Sequence, residues 1–503
     1  MRDIALRALV IACGLGAGAP AAAATLRIGL ANDVDILDPT LLRTFASIQV
    51  LNAMCDKLID LTPDLRYVPQ LATAWAWGED GKTLTLKLRP GVKFHDGEML
   101  DAAAVKYSID RHRSMPGTVF KSSLAAIESV DTVDELTVRV NLSSPVSGPL
   151  LARLVISAGM VVSPKAAEAA GNKFGGHPVC AGPYRFVERV AQDHITIEKF
   201  AEYWDKDRVH IDRIVYRFIP DSSVRLANLQ SGDLELIEQT APADLANIAA
   251  NKKIKTASAV SLGYNRIYLN VGHGARANTA FGRDQRLRQA LDLAIDREAI
   301  TRVVFDGEFV PATSWIPPES PYSLTNVPPP HRDVAKAKSL LEAAGQPHPS
   351  VELKLFNNPV AIQVAQMIQA MAKEAGFEIN LLPLESVSAI QAGEKGDFDA
   401  LMIGWPGYAD PDVNIYSLLS CGAPLNYSGY CNKEVDSLLD LARTSSDLSG
   451  RVQYYTRVHQ IISVEEPHLF LYHHRWIWAY DNRLKGFTAH RDGLTRIIDL
   501  LFD

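Results

Sequence analysis

The sequence predicts an α/β fold in which a parallel sheet carries a ligand-binding crevice at one edge. Val351 to Phe356, Val360 to Ala375 and Phe377 to Leu382 have strand, helix and strand patterns, and this order implies a right-handed parallel crossover. A short apolar run, Ala400 to Gly404, indicates a further buried strand, and the loop Trp405-Pro406-Gly407-Tyr408 follows it. Ligands of open α/β sheets bind at the carboxyl ends of strands, so this aromatic loop is the first candidate site.

Two further segments complete the predicted crevice. Asp410 and Pro411 open a helix after the aromatic loop, with Asp410 as N-cap and Pro411 at the first helical position. Asp410 could instead face a ligand, because alternate residues of an extended loop share a face. Asn357 and Asn358 follow the strand that ends at Phe356 and so lie at the same edge of the sheet. Trp405 could form a ligand wall or pack in the core.

The remaining chain alternates between helical and strand patterns. Apolar residues recur at helical spacing from Leu41 to Leu61, and the next helix is predicted from Asp101 to Arg113. Leu84, Leu86 and Leu88 alternate with polar residues after a Glu-Asp-Gly-Lys turn, which predicts a hairpin with one buried face. Residues Arg286 to Asp296 have the pattern of a helix with one apolar face, formed by Leu287, Ala290, Leu291, Ala294 and Ile295.

The amino terminus has the pattern of an export signal. Met1 to Ala24 combines a basic start, an apolar stretch of 11 residues and a small-residue cleavage sequence. Cleavage before Thr25 would release the mature chain into the periplasm. The segment ending at Cys13 loosely resembles a lipobox, so a lipid-anchored protein is the alternative. A formal net charge of -7 disfavours a nucleic-acid partner.

Export permits disulfides in the mature chain. Cys421 and Cys431 enclose a short loop rich in Gly and Pro, and we predict that they are joined. Cys55 and Cys180 show no pattern from which to pair them.

Several motifs, in order along the chain, resemble those of the bacterial extracellular solute-binding proteins of family 5. These proteins are the peptide-, dipeptide-, nickel- and glutathione-binding components of ABC importers. The similar segments are 71–97 with its Lys93-Phe94-His95-Asp96-Gly97 turn, Ala181 to Phe186, Tyr203-Trp204, Ile219 to Asp221, Leu229 to Ile237, and Arg286 to Ile300.

The resemblance implies a bilobal, periplasmic-binding-protein-like fold of type II, with two α/β lobes, a hinge and the extra subdomain of family 5. The first lobe would combine residues 25–55, 180–262 and 478–503. Residues 56–179 would form the inserted subdomain, and residues 263–477 the second lobe. Closure of the lobes around a ligand is the expected motion.

The resemblance also implies a function: capture of a peptide or peptide-like solute for a membrane permease driven by an ATPase, by a protein expected to be a monomer. Thr44 and Phe45, after the first strand, and Gly407 are further candidate ligand contacts. In the family's dipeptide and oligopeptide binders, an Asp that pairs with the peptide ammonium stands where this chain has Tyr408. The Arg that binds the far carboxylate aligns near Leu355, with no Arg nearby. Both charged anchors of the dipeptide binders are therefore absent from these positions, and modified peptides, opines or other solutes with uncharged ends stay open as alternatives.

Catalysis, cofactors and metals find little support in the sequence. It contains no G-x-S-x-G elbow, Walker loop or H-E-x-x-H motif, and an extracytoplasmic hydrolase is the weaker alternative. His473 and His474 are adjacent, so on a strand they face opposite sides. We therefore predict a binding protein, not an enzyme, without a metal site or cofactor.

Overall fold

The computed structural model describes residues 24–324, 327 and 331–503, and within that part of the chain three main sheets carry the fold. The predicted signal peptide and Cys13 therefore lie outside the described residues, apart from Ala24. No described helix is both long enough and apolar enough to cross a bilayer.

The first sheet has seven strands, and its centre is parallel. Thr25–Leu30 pairs in parallel with Arg213–Phe218 on one side and with Leu236–Ile237 on the other. The strand order is Ile254–Val260, Arg475–Asp481, Leu236–Ile237, Thr25–Leu30, Arg213–Phe218, His194–Lys199 and Tyr184–Val190. Its α-helices are Phe45–Met54, Ser222–Ser231 and Leu245–Ala249. The first of these is shorter than the predicted 41–61, because Thr44 caps its start by accepting a hydrogen bond from the Ser47 backbone N–H.

The inserted unit is built on an antiparallel sheet. Its strands are, in order, Ala72–Trp77, Thr83–Leu88, Thr137–Leu142 and Ile127–Asp134, beside the small pair Ile59–Leu61 and Tyr67–Pro69. The predicted hairpin forms, with Leu84, Leu86 and Leu88 all buried. The helices of this part of the chain are Ala102–Ser114, Ser147–Leu154 and Pro164–Ala170. Met160, Val162 and Phe174 pack in the core of the first lobe, so the segment 160–174 contributes to the core of that lobe.

The second sheet contains the predicted crossover. Ser350–Phe356 pairs in parallel with both Glu378–Leu384 and Ala400–Trp405, as predicted. The order is Val310–Pro311, His468–His473, Tyr264–Leu269, Ala400–Trp405, Ser350–Phe356 and Glu378–Leu384. The α-helices are Ala280–Arg283, Gln285–Ala294, Arg297–Val304, Val334–Ala343, Pro359–Ala375, Ser386–Lys395, Pro411–Leu419, Lys433–Thr444 and Leu448–Glu465.

The segment from Arg286 to Ile300, for which the family resemblance implies one helix, forms two helices. The first stops at Ile295, which is extended, and Asp296 caps the next helix by accepting a hydrogen bond from the Ala299 backbone N–H at 2.8 Å. The apolar periodicity runs through the break because Leu291, Ile295 and Ile300 all face the same core. Periodicity alone therefore concealed the cap.

The chain crosses between the two sheets at two neighbouring places. Ile254–Val260 lies in the first sheet and Tyr264–Leu269 in the second, so the first crossing is at 261–263. The second crossing is at His474, between His468–His473 and Arg475–Asp481. A backbone hydrogen bond of 2.9 Å from the Ser261 N–H to the His474 carbonyl joins the crossings. The architecture is therefore two α/β lobes with a paired hinge, while the exact domain bounds stay a prediction.

The described part of the chain contains two disulfides. Cys421 and Cys431 are joined, which confirms the predicted pair. Cys55 and Cys180, left unpaired by the sequence, are also joined across 125 residues. They lie at the two ends of the predicted insertion 56–179, so this bond ties together the two chains that lead into and out of it.

Candidate functional site

A cavity of about 670 Å³ lies where the first lobe, the inserted unit and the second lobe meet. This volume is typical of a small-molecule site. The first lobe contributes residues 42–45, and the inserted unit contributes 119–120, 122–123, 152–153 and 155–157. The second lobe contributes 406–409, and the hinge adds Leu262 and His474. Each part of the protein that a hinge motion would move therefore contributes residues to the cavity wall.

The aromatic loop reaches this cavity because it packs on the hinge. Gly407 lines the cavity and has a φ of +80°, which favours glycine. A Cβ at Gly407 would lie 2.1 Å from the carbonyl carbon of Leu262 in the first crossing. The loop can approach the crossing so closely only with glycine at this position. Movement of the hinge would therefore displace the aromatic loop directly.

Asn414 fixes the shape of the aromatic loop, and sequence reasoning missed it. Its Oδ1 accepts hydrogen bonds from the Tyr408 backbone N–H at 2.7 Å and from Trp405 Nε1 at 3.2 Å. Its Nδ2 donates to the Tyr408 carbonyl at 2.8 Å. One buried amide, one turn into the following helix, thus holds both ends of the loop.

Tyr408 lines the cavity, whereas Trp405 lies behind it. The Trp405 ring is half-buried and packs against the core of the second lobe. Its centroid is 6.2 Å from that of Tyr408. Trp405 is not among the residues that line the cavity, so direct contact between Trp405 and a ligand stays a prediction.

Asp410 is engaged within the protein. It accepts a hydrogen bond from the Asp412 backbone N–H at 2.9 Å as N-cap of helix Pro411–Leu419. Both its oxygens also accept hydrogen bonds of 2.7 Å from Arg451. Burial opposes the charged form of Arg451. The hydrogen bonds to Asp410 and the negative charge of Asp410 outweigh this effect and raise the pKa of Arg451. Asp410 is therefore not free to pair with a ligand ammonium.

Thr44 and Phe45 both line the cavity. Thr44 caps its helix and its hydroxyl donates to Asp35 Oδ1 at 2.8 Å. The Phe45 ring stacks on Trp476, with centroids 4.9 Å apart and planes 11° apart. This stacked pair gives the cavity a flat apolar wall.

Asn357 and Asn358 do not line the cavity. The Asn357 backbone N–H donates to the Leu384 carbonyl at 2.8 Å. Asn358 caps helix Pro359–Ala375 by accepting from the Ala361 backbone N–H at 2.8 Å. Their strand lies on the side of Ala400–Trp405 away from the crossing strand Tyr264–Leu269, which explains their distance from the cavity. A ligand role for these two residues stays a prediction.

The lining residues that sequence reasoning missed include Arg43, Arg153, His474 and Trp476. Burial lowers the pKa of His474 to about 4, and the nearby His473 contributes a smaller effect in the same direction. The His474 imidazole is therefore neutral at pH 7. Its ring meets the edge of Trp476 with centroids 5.0 Å apart. The segment 463–480 is rich in aromatic and histidine rings, and that pattern could have located both residues. Arg153 lies on an ordinary amphipathic pattern and has no such signal.

Within the described part of the chain, one group has the proximity needed to hold a metal ion. It consists of Cys421, Cys431 and Asp436, and its two cysteines are joined to each other. His473 Nδ1 donates to the Gly263 carbonyl at 2.9 Å, whereas His474 faces the cavity. The two adjacent histidines therefore face different surroundings.

Comparison with known proteins identifies the family. Residues 66–426 match the model of the bacterial extracellular solute-binding proteins, family 5. The chain belongs to this family. A family-5 relative, the glutathione-binding protein GsiB of Pectobacterium atrosepticum, is 30% identical over 471 residues, which cover 91% of this chain and 90% of that protein.

Solved structures agree with the bilobal fold. HbpA2 of Haemophilus parasuis has a TM-score of 0.84 and 24% identity, over 95% of this chain and all (100%) of that chain. AgaA of A. tumefaciens R10, in complex with agropinic acid, has a TM-score of 0.79 and 25% identity, over 95% of this chain and 99% of that one. The periplasmic-binding-protein-like fold predicted from the sequence is confirmed.

Proposed function

We propose that this family-5 protein is the extracytoplasmic receptor of an ABC importer that captures a peptide-like solute by closing its lobes. The observation that carries the proposal is the cavity of about 670 Å³ between the lobes, beside the two hinge crossings. A ligand in that cavity contacts all the moving parts and so favours the closed state. The glutathione-binding relative supports a peptide-like solute.

The recognition surface that we propose consists of Gly407, Tyr408, Thr44 and Phe45, all of which line the cavity. Trp405 and Asn414 would hold the loop from behind. Tyr408 and the engaged Asp410 make a free peptide ammonium a poor ligand group, because burying an ammonium without a carboxylate is costly. A non-peptide organic acid is the second candidate, since the structurally similar AgaA binds agropinic acid.

The proposal includes a location and partners. Residues 1–24 would direct export to the periplasm, with lipid attachment at Cys13 as the alternative. The closed monomer would dock on a permease whose transport an ATPase drives. Binding, not chemistry, would be its task; the matched relatives are named as binding proteins.

Thermal-shift screening of the mature protein tests this function. The panel would hold free and blocked peptides, glutathione, opines, aromatic acids, oligosaccharides and nickel. A ligand at 100 times its dissociation constant stabilises the protein by about 2.7 kcal/mol. We expect peptide-like or organic-acid hits that the protein returns chemically unchanged. Turnover of a hit would favour the hydrolase alternative, and no hit would contradict the receptor.

A further inference from the structure

The charged groups of the cavity are unevenly paired. Among the described residues, three charged side chains line it: Arg43, Arg153 and Asp492. Asp492 Oδ1 accepts a hydrogen bond from Arg496 at 2.7 Å, so its charge is already balanced. Neither arginine has a carboxylate partner or a side-chain hydrogen bond among the described residues. The unbalanced charge of the cavity is therefore positive.

Arg153 lines the cavity where the inserted unit meets the second lobe. It is half-buried near the end of helix Ser147–Leu154 in the inserted unit. Its guanidinium carbon lies 4.3 Å from the centroid of Tyr408 in the second lobe. Stacking uses one flat face of the guanidinium and leaves the N–H groups at its edge free to donate. Arg153 thus spans the closing interface and still has unused donors.

The other cavity walls that the structure describes contribute no competing charge. His474 is neutral, and the stacked rings of Phe45 and Trp476 form an apolar surface. Once lobe closure excludes water from the cavity, a guanidinium without a counter-ion is unfavourable unless the ligand supplies one. A carboxylate suits the fork of an arginine because it can accept two parallel hydrogen bonds.

We infer that the solute carries a carboxylate that pairs with Arg153, with Arg43 as a second, more exposed cation at the cavity. The rest of the solute would lie against Phe45 and Trp476. This inference rests on the proposed function and specifies its substrate class: an acidic peptide-like solute, not one recognised by its ammonium. The carboxylate could be a peptide carboxyl terminus or an acidic side chain.

Matched probes distinguish these sources. The first pair is N-acetyl-phenylalanyl-glycine as the free acid and as the amide. The second pair is N-acetyl-aspartyl-phenylalanine amide and its asparaginyl counterpart. Glutathione and its dimethyl ester form the third. Each would be titrated by calorimetry into the wild type, Arg153→Gln and the control Arg139→Gln, which removes an exposed arginine of the same inserted unit away from the cavity.

We expect the wild type and Arg139→Gln to bind at least one acid ten times or more tightly than its uncharged partner. Arg153→Gln should lose that preference while its melting temperature stays close to that of the wild type. The pair that shows the preference identifies the source of the carboxylate.

Equal binding of acids and amides by the wild type, or unchanged preference in Arg153→Gln, would overturn the anionic-ligand inference and leave the solute receptor standing. Failure of every probe in this set would contradict the anionic-ligand inference. If the broad panel also gave no ligand, the proposed receptor would fail with it.

Discussion

Asp410 and Arg451 form a two-pronged ion pair beneath the aromatic loop, with both N–H···O distances at 2.7 Å. The side chains are only 1% and 4% exposed. Arg451 also donates to the Tyr455 hydroxyl at 2.9 Å and to the Ala442 carbonyl at 2.8 Å. The pair therefore links the start of helix Pro411–Leu419 to helix Leu448–Glu465.

Asp410→Asn should destabilise the protein strongly, because it leaves the Arg451 charge buried without its partner. The expected loss is about 3–5 kcal/mol of unfolding free energy, measured by urea denaturation. The double variant Asp410→Asn/Arg451→Met should recover much of that loss, since it removes both charges. Normal stability of Asp410→Asn combined with weak ligand binding would instead make Asp410 a ligand anchor.

Gly148 marks the contact between the inserted unit and the second lobe. A Cβ at this position would lie 2.3 Å from Asp410 Oδ2 and 2.7 Å from an Arg451 nitrogen. Gly148→Val should therefore keep the lobes apart. We expect ligand affinity to fall at least tenfold in calorimetry with a small change in the melting temperature of the ligand-free protein.

Gly176→Val is the matched control, because a Cβ at Gly176 meets no atom within 4 Å. It should bind like the wild type. If Gly148→Val also bound like the wild type, the contact between helix Ser147–Leu154 and Asp410 would not be part of ligand-induced closure.

Trp405 and Trp476 are the two candidates for the tryptophan that contacts the ligand. Trp476→Leu should weaken ligand binding at least tenfold, because its ring lines the cavity and supports Phe45. Trp405→Leu should lower the melting temperature more than the affinity, since it removes the bond to Asn414 and core packing. Calorimetry and thermal melts of both variants decide. Lost affinity with an unchanged melt in Trp405→Leu would restore Trp405 as the ligand wall.

The two disulfides should differ in their effect on stability. Cys55–Cys180 closes a separation of 125 residues and Cys421–Cys431 one of 10. In the chain-entropy model these loops correspond to about 5 and about 3 kcal/mol. Cys55→Ala/Cys180→Ala should therefore melt at a clearly lower temperature than Cys421→Ala/Cys431→Ala under oxidising conditions. The reverse order would contradict a clamping role at the base of the insertion.

The sequence predicted the local features of the fold well, because they depend on near neighbours. The cap at Asp410, the strand predicted from Ala400 to Gly404 and the Cys421–Cys431 loop all involve short stretches of chain. Cys55 and Cys180 could not be paired from the sequence, because they come together only when the whole insertion between them has folded. The break at Asp296 was missed because the apolar face continues through it.

The candidate site was harder to predict because its walls come from separate lobes. Gly407 and Tyr408 lie on the loop that the sheet rule selected, and they line the cavity. The same rule selected Asn357, but strand order places it on the far side of Ala400–Trp405. Arg153 approaches Tyr408 only through packing of the inserted unit on the second lobe, which no local pattern records.

The most direct test of the receptor is uptake. Cells lacking the gene would be supplied with a labelled form of the solute that raises the melting temperature of the purified protein. The proposed function predicts that these cells fail to accumulate the label, that the wild-type gene restores accumulation and that the Gly148→Val gene does not. Full accumulation by the deletion strain would contradict a role as the receptor of an importer for that solute.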